Sequence, residues 1–259
     1  MSSAYLDRRV YDGNVCGRFV GAFSTERLIG EIAEGASGHG LTLPRADGGQ
    51  GDHVRPNFNL APTQRADVLR VNSDGLSFSS MTWGLVPRWA KDISRASSMI
   101  NARSETVQEK SSFRGLLGRH RCIVPMDGFY EWDRSNPKSK VPYFCERADG
   151  HLLLVAGLWT TSPASGEVPT FCILTRPSGP DLDEVHDRSP MHLDTEGALR
   201  WLTDPVPPLE LATGEEEPEL VIRRVSSRVN SVRNNGPDLL APVEEPGATA
   251  GESTQPTLF

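Results

Sequence analysis

An α+β domain built around a strongly bent, barrel-like and mainly antiparallel sheet is predicted by three observations. Short strand-like runs crowd the 259 residues, helical periodicity is confined to a few short segments, and no strand–helix–strand spacing recurs.

Taken in order, residues 1–15 form a leader. Its first fourteen residues, MSSAYLDRRVYDGN, hold no apolar run, which excludes a signal peptide or a membrane anchor there. Apolar periodicity starts at VCGRFV, where a strand is expected. STERLIGEIAE carries a Ser/Thr cap and sets Leu28, Ile29 and Ile32 on one face, predicting a short helix. Residues 33–56 are rich in glycine and polar residues and read as a loop or insertion. ADVLRV and LSFSSMTW, joined by NSDG, predict a hairpin. RCIVPMDGFYEW, VPYFCER, HLLLVAGLW, TFCILT and ELVIRRVS are further strands; residues 102–117 and TEGALRWL are the remaining helices. Residues 203–219 form an acidic, proline-rich insertion, and 241–259 have the composition of a disordered tail. A single domain over 16–240 is large enough to bury a core of its own.

Composition narrows the function. No segment approaches the roughly 18 consecutive apolar residues of a membrane span, so no membrane partner is expected. Cys16, Cys122, Cys145 and Cys172 form no CxxC pair, which argues against a zinc site and a disulfide framework. The last three sit in apolar runs and read as reduced core cysteines, leaving Cys16 as the exception and a reducing cytoplasm as the compartment. No metal or cofactor is expected. The net charge is −7, yet residues 15–202 carry 22 acids against 21 bases. Between 88 and 121 eight Lys and Arg face three acids, so a phosphate-binding face and ordinary solvated charges both remain open.

Polar clusters interrupt otherwise apolar text at NFNLAPTQ, WGLVPRW, NARSET, GFYEW and VHDRSP. Each alone is explained by turn closure or a buried ion pair. With Cys16 they supply a thiol, a carboxylate, an imidazole, an amide and a guanidinium, a full inventory for covalent chemistry. Val15 sharpens the case: a GTG codon reads as valine internally and as methionine at a start. One expectation is therefore a product beginning Met-Cys-Gly-Arg-Phe, with Cys16 exposed once the methionine is clipped; the other is a disordered leader before a strand.

In this order CGRF, NLAPTQ, WGLVPRW, NARSET, RCIVPMDGFYEW, AGLW, ILT and HDRSP resemble the SRAP family, named for its association with the bacterial SOS response. The resemblance implies an SRAP-like fold and a protein that crosslinks to abasic sites in single-stranded DNA through an N-terminal cysteine. It implies Cys16 as the covalent residue, Asn59 as a polar group holding its amine or the sugar, Glu131 as the proton carrier and His186 as a second acid or base. Asn101 and Arg103 would engage the abasic nucleotide and its phosphate, Arg18 would steer a phosphate, and Thr175 would contribute a hydroxyl. Trp89 and Arg88, in a loop that Pro87 keeps from forming a regular helix, suit a DNA face that stacks bases. Trp132, Trp159 and Trp201 read as core. A peptidase activity, chiefly removal of the leader, is the family's other implied chemistry. An N-terminal-nucleophile amidotransferase, a cysteine peptidase without a DNA role and a noncovalent single-strand binder are the alternatives. A monomer is expected.

Overall fold

The computed structural model describes residues 16–44, 55–133, 140–213 and 218–243. The leader 1–15, residues 45–54 of the glycine-rich insertion and the tail beyond Val243 lie outside these residues.

Among the described residues thirteen strands and two α-helices follow one another: β1 Phe19–Gly21, α1 Thr25–Gly38, β2 Asn57–Leu60, β3 Arg65–Asn72, β4 Gly75–Trp83, β5 Asn101–Arg103, β6 Arg121–Met126, β7 Gly128–Asp133, β8 Val141–Arg147, β9 Leu153–Thr160, β10 Thr170–Pro177, β11 Arg188–Pro190, β12 His192–Leu193, α2 Thr195–Thr203 and β13 Leu220–Arg224. No described helix is long and apolar enough to cross a membrane.

Two sheets result. The smaller runs β13-β8-β7-β1-β2, antiparallel throughout. In the larger, β10 pairs β4, β4 pairs β3, β3 pairs β6, β6 pairs β9, and β9 returns to β10, so five strands close a ring. Closure leaves no open edge along that path. Only the β10 pairings with β4 and β5 are parallel, which agrees with the mainly antiparallel barrel the sequence predicts.

Strand periodicity divides the core in two. Successive side chains leave a strand on opposite faces. Leu69, Ile123, Leu154, Ala156 and Leu158 pack with Leu28, Ile32, Leu199 and Trp201 of the helices. Their neighbours Val68, Val124 and Val155 join Met81, Trp83, Phe171, Phe19, Phe129 and Cys16 in a second cluster shared with the smaller sheet. Each fully buried Leu, Val or Phe contributes roughly 1.5–3 kcal/mol. Cys16 is therefore held by the second cluster, at the seam of the two sheets.

Local sequence accounts for most elements. Ser24 caps α1, its hydroxyl accepting the Arg27 amide at 3.2 Å. The β3–β4 hairpin turns on Ser73 and Asp74, with Asn72 opposite Gly75 at φ +114°. RCIVPMDGFYEW is not one strand. It splits at Asp127, whose carboxylate accepts the Ala22 amide and pairs with Arg27, so β6 enters the large sheet and β7 the small one. Gly128 permits the corner, because a Cβ there would collide with the Phe144 ring and sit 2.5 Å from the Cys145 carbonyl oxygen.

Three expectations are corrected. Residues 33–38, assigned to the insertion, complete α1: Ala36 is buried, and a Cβ on Gly35 would lie 2.6 Å from Leu199 Cδ1, so the glycine lets α1 meet α2 closely. Within 203–219, Leu209 and Leu211 pack on the helix-side core, so that stretch is partly anchored. The helix expected over 102–117 does not form. Asn101–Arg103 is strand β5, drawn into pairing with β10, and a chain of single turns follows to Arg119. Tertiary pairing overrides helix propensity there, aided by Gly115 and Gly118.

Candidate active site

Cys16 lies just before β1 and is fully buried. Its backbone nitrogen donates to Glu131 Oε1 at 2.5 Å, and its thiol donates to the Arg18 carbonyl at 3.9 Å. The β1–β7 pairing makes this contact: Phe19 faces Phe129, and the Tyr130 amide donates to the Arg18 carbonyl at 2.9 Å, bringing the next β7 residue, Glu131, to the start of the described chain. Burial, then the Glu131 charge, pushes the Cys16 thiol well above its ordinary value, so the resting sulfur is a neutral thiol. Cys16 also has φ +44°, a left-handed conformation that costs a non-glycine residue roughly 1–2 kcal/mol. The torsion turns about the N–Cα bond of Cys16 itself.

A second layer fixes the first. Arg18 Nη1 donates to Asn59 Oδ1 at 2.7 Å and to the Val229 carbonyl at 2.9 Å, and the guanidinium lies 5.8 Å over the Trp132 ring. Burial lowers the Arg18 pKa from its usual value. Asn59 Nδ2 faces the carbonyls of Val229, Ser231 and Asn234 at 3.2, 3.0 and 2.9 Å. The Asn59 amide is thus spent on Arg18 and on the segment 229–234, and Arg18 commits one nitrogen to the same lock. Both brace the residues around Cys16. Trp132 Nε1 donates to Asn230 Oδ1 at 2.7 Å, and the Phe58 amide to Asn235 Oδ1 at 2.7 Å, so residues 229–235 strap down β2, β1 and β7 together.

His186 sits in the β10–β11 loop and is 7% exposed. Its loop neighbours Leu182 and Val185 pack in the cluster that holds Cys16. Its Nδ1 accepts the Arg188 amide at 3.1 Å, which in the neutral ring places the proton on Nε2. The Asp187 carboxylate lies 3.2 Å from the same nitrogen and becomes a partner only on protonation.

Asn101 opens β5 opposite Ile173, and Arg103 stands opposite Thr175 with its side chain exposed. The Thr175 hydroxyl accepts Arg188 Nη2 at 3.1 Å, while the same guanidinium grips Glu105 in a two-pronged pair at 2.5 and 3.0 Å. Trp89 and Arg88 are exposed in the β4–β5 loop. Of the eight cations between 88 and 121, Arg121 is withdrawn from any phosphate face. It is buried over Trp201 and donates to the carbonyls of Leu117 and Asp204. Trp201 is core, but Trp132 and Trp159 are half-buried and lie under Arg18 and Arg70, against the expectation that all three are core.

Arg188, Glu105 and the 229–235 strap escaped sequence reading. Arg188 stood inside a motif read for its histidine. The asparagine-rich run RVNSVRNN was a signal that could have been used, since asparagine is suited to capturing carbonyls and amides at once. Among the described residues no group of three or more His, Cys, Asp or Glu is arranged to hold a metal ion.

Comparison with known proteins places this geometry. The family model described as SOS response associated peptidase (SRAP) matches residues 15–232. The abasic site processing protein YoqW of Bacillus subtilis is 39% identical over 194 residues, covering 71% of this chain and 85% of that protein. The abasic site processing protein HMCES of Gallus gallus is 34% identical over 226 residues, covering 73% and 67%. A crystal structure of a protein from Bacteroides thetaiotaomicron, 22% identical, shares the fold with a TM-score of 0.66 over 88% of this chain and all of that one. A phage-related protein from Bordetella bronchiseptica, 26% identical, aligns with a TM-score of 0.60 over 81% and 94%. On the extent of the family match and the identity to YoqW, this chain belongs to the SOS response associated peptidase family.

Proposed function

We propose that this chain captures abasic sites in single-stranded DNA as a covalent adduct of Cys16. The observation that carries the reading is the sealed 2.5 Å contact between the Cys16 nitrogen and the Glu131 carboxylate. The abasic site processing proteins among its relatives support the substrate.

The chemistry needs a freed Cys16. The ring-opened abasic sugar presents an aldehyde; the amine adds to it, the carbinolamine loses water, and an imine forms. The thiol then adds to the imine carbon and its proton passes to nitrogen, closing a five-membered thiazolidine. Only a terminal cysteine carries amine and thiol on adjacent carbons. Holding both beside one carbonyl makes the second addition intramolecular. Glu131 takes the proton that an ammonium must lose and returns it to the departing hydroxyl. His186, with its proton on Nε2, is the second acid or base. Asn101 and Arg103 engage the lesion and its phosphate, a task suited to a fixed guanidinium charge. Thr175, aligned by Arg188, supplies a hydroxyl between them. Arg88 and Trp89 extend the DNA face, while Asn59 and Arg18 hold the nucleophile strand in place.

The strain at Cys16 favours a linked activity, removal of the leader. Glu131 would take the proton of the Cys16 thiol as the sulfur attacks the Val15 carbonyl and pass it to the leaving nitrogen, so that the Val15–Cys16 amide breaks and a thioester forms. Water then releases Val15 as a carboxylate and leaves Cys16 with a free amine and thiol.

The test mixes protein beginning at Cys16 with an oligonucleotide bearing one abasic site and resolves the products under denaturing conditions. An adduct that disappears in Cys16→Ala is expected. An adduct that persists in Cys16→Ala, or none from protein with a verified Cys16 terminus, rejects the reading.

A further inference from the structure

NARSET, ILT and HDRSP meet at one buried guanidinium. Arg188, the first residue of β11, hangs on three side-chain contacts: two prongs to Glu105 at 2.5 and 3.0 Å, and one bond to the Thr175 hydroxyl at 3.1 Å. Among the described residues its Nε, shut from solvent, has no hydrogen-bond partner. Glu105 thus supplies two of the three bonds that set where this cation points, and the carboxylate that offsets its charge.

Glu105 is itself placed by β5. The Ser104 amide donates to the Thr175 carbonyl at 2.9 Å, carrying the β5–β10 pairing one residue past Arg103, and the Ser104 hydroxyl reaches Glu105 Oε2 at 3.3 Å. The Glu105 side chain is 43% exposed and that of Arg188 9%, so the acid reaches inward from the surface to a buried base. A two-pronged grip fixes the plane of the guanidinium as well as its distance.

That plane decides what Thr175 can do. A guanidinium only donates, so the Thr175 oxygen accepts from it and the hydroxyl proton is left over. Among the described residues no acceptor takes that proton. Thr175 is buried and stands opposite Arg103 in the β5–β10 pair, where a lesion and its phosphate would lie. A buried polar hydrogen without an acceptor is unfavourable until a ligand oxygen supplies one. We propose that Glu105 is a positioning residue for abasic-site capture: by holding Arg188 it presents the Thr175 hydroxyl as a hydrogen-bond donor to an oxygen of the bound lesion. This rests on the reading of the chain as an abasic-site capturing protein.

The test follows single-turnover adduct formation by protein beginning at Cys16, over a range of concentrations of a single-stranded oligonucleotide with one abasic site. This separates the saturated rate from the DNA concentration at half-maximal rate. Thr175→Val removes the hydroxyl and keeps the shape, while Glu105→Gln keeps one oxygen for Arg188 but removes the charge and the second prong. Each should lower the saturated rate about 10-fold, the worth of one well-placed hydrogen bond, without raising the half-maximal concentration. The double variant should be no slower than Thr175→Val alone, since Glu105 then has nothing to act through. Arg188→Lys, which keeps a donor for Thr175 but cannot take a carboxylate at two points, should repeat the Glu105→Gln result and replaces it should that variant fail to fold. With the parent's adduct intact, the proposal is overturned by an unchanged saturated rate in Glu105→Gln, by a loss confined to the half-maximal concentration, or by losses that multiply in the double variant. Absence of any adduct from the parent overturns the underlying reading and this proposal with it.

Discussion

Oε1 of Glu131 lies 2.5 Å from the nitrogen of Cys16, with the two residues 1% and 0% exposed. A buried carboxylate this close to the Cys16 nitrogen is positioned to move a proton at that atom. Water, which would compete for that proton or for an imine, has little access.

Replacing Glu131 with Gln keeps the shape and the hydrogen bond but removes the proton acceptor. Adduct formation by Glu131→Gln is expected to fall by about 10²–10⁴-fold, the usual worth of one general acid or base. Cys16→Ser, which keeps the amine, should still yield a borohydride-trapped imine while losing the stable adduct. A Glu131→Gln protein as fast as the parent in single-turnover assays removes Glu131 from the mechanism.

Asn59 joins four groups that otherwise lack a common partner. Asn59→Ala should cost about 1–3 kcal/mol in denaturant unfolding, because buried carbonyls and Arg18 lose their partner together. Asn59→Asp places a second oxygen against the carbonyls of Val229, Ser231 and Asn234. It should be no better at pH 7 and regain stability on mild acidification, when the carboxyl takes up a proton and becomes a donor. Unchanged stability in both variants would show that the strap is held by other contacts.

His192 supplies a pH dependence. Burial, then the Arg176 charge, pulls its pKa down to about 4, although the carbonyls of Pro190 and Pro218 favour a proton. In the unfolded chain the ring titrates near 6.5. Between those values the unfolded chain binds the extra proton, so stability rises with pH and is lost as pH falls from about 6.5 to 4. At 1.36 kcal/mol per unit this amounts to at most about 3 kcal/mol. Chemical denaturation of the parent should show this loss and His192→Gln should lack it; matching pH profiles would assign the loss elsewhere.

Gly128→Ala tests the corner between the sheets. The added methyl meets the Phe144 ring and the Cys145 carbonyl, and the carbonyl, being backbone, cannot swing aside. A loss of about 1–3 kcal/mol is expected, and crosslinking should fall further than stability requires, since Glu131 is three residues on. A melting temperature within a degree of the parent would mean that the corner relaxes.

Arg103 and Lys110 are both exposed, but only Arg103 lies on β5 beside Thr175. Arg103→Ala should weaken crosslinking more than Lys110→Ala. It should also reduce the slope of log affinity against log salt by about 0.7, one phosphate contact on a single strand. Equal effects of the two variants would argue for a diffuse field in place of a specific contact.

The strands read well from sequence because a buried face leaves its pattern, as partial alternation in ADVLRV and as a continuous apolar run in HLLLVAGLW, whose strand β9 is buried on both faces. Residues 102–117 did not, since three residues of pairing with β10 override any local helical preference, and pairing with a distant strand leaves no local trace. The break at Asp127 was equally hidden: both halves of RCIVPMDGFYEW are apolar, and only the partners of Asp127 reveal that the chain changes sheets. In the candidate site, residue types and order led to Cys16, Glu131 and His186, but not to which polar groups act on each other. That Asn59 and Arg18 brace one another and the segment 229–234 is visible only in their hydrogen bonds.

The ring of β10, β4, β3, β6 and β9 has a mechanical meaning. Under a pulling force a closed hoop offers no outermost strand to unzip. Tension applied beyond β13 would instead strip that border strand from β8 and tear open the small sheet that holds Glu131 against Cys16. Force spectroscopy should register this as an early, weak rupture ahead of a late, strong one, with the hoop as the last part of the molecule to give way.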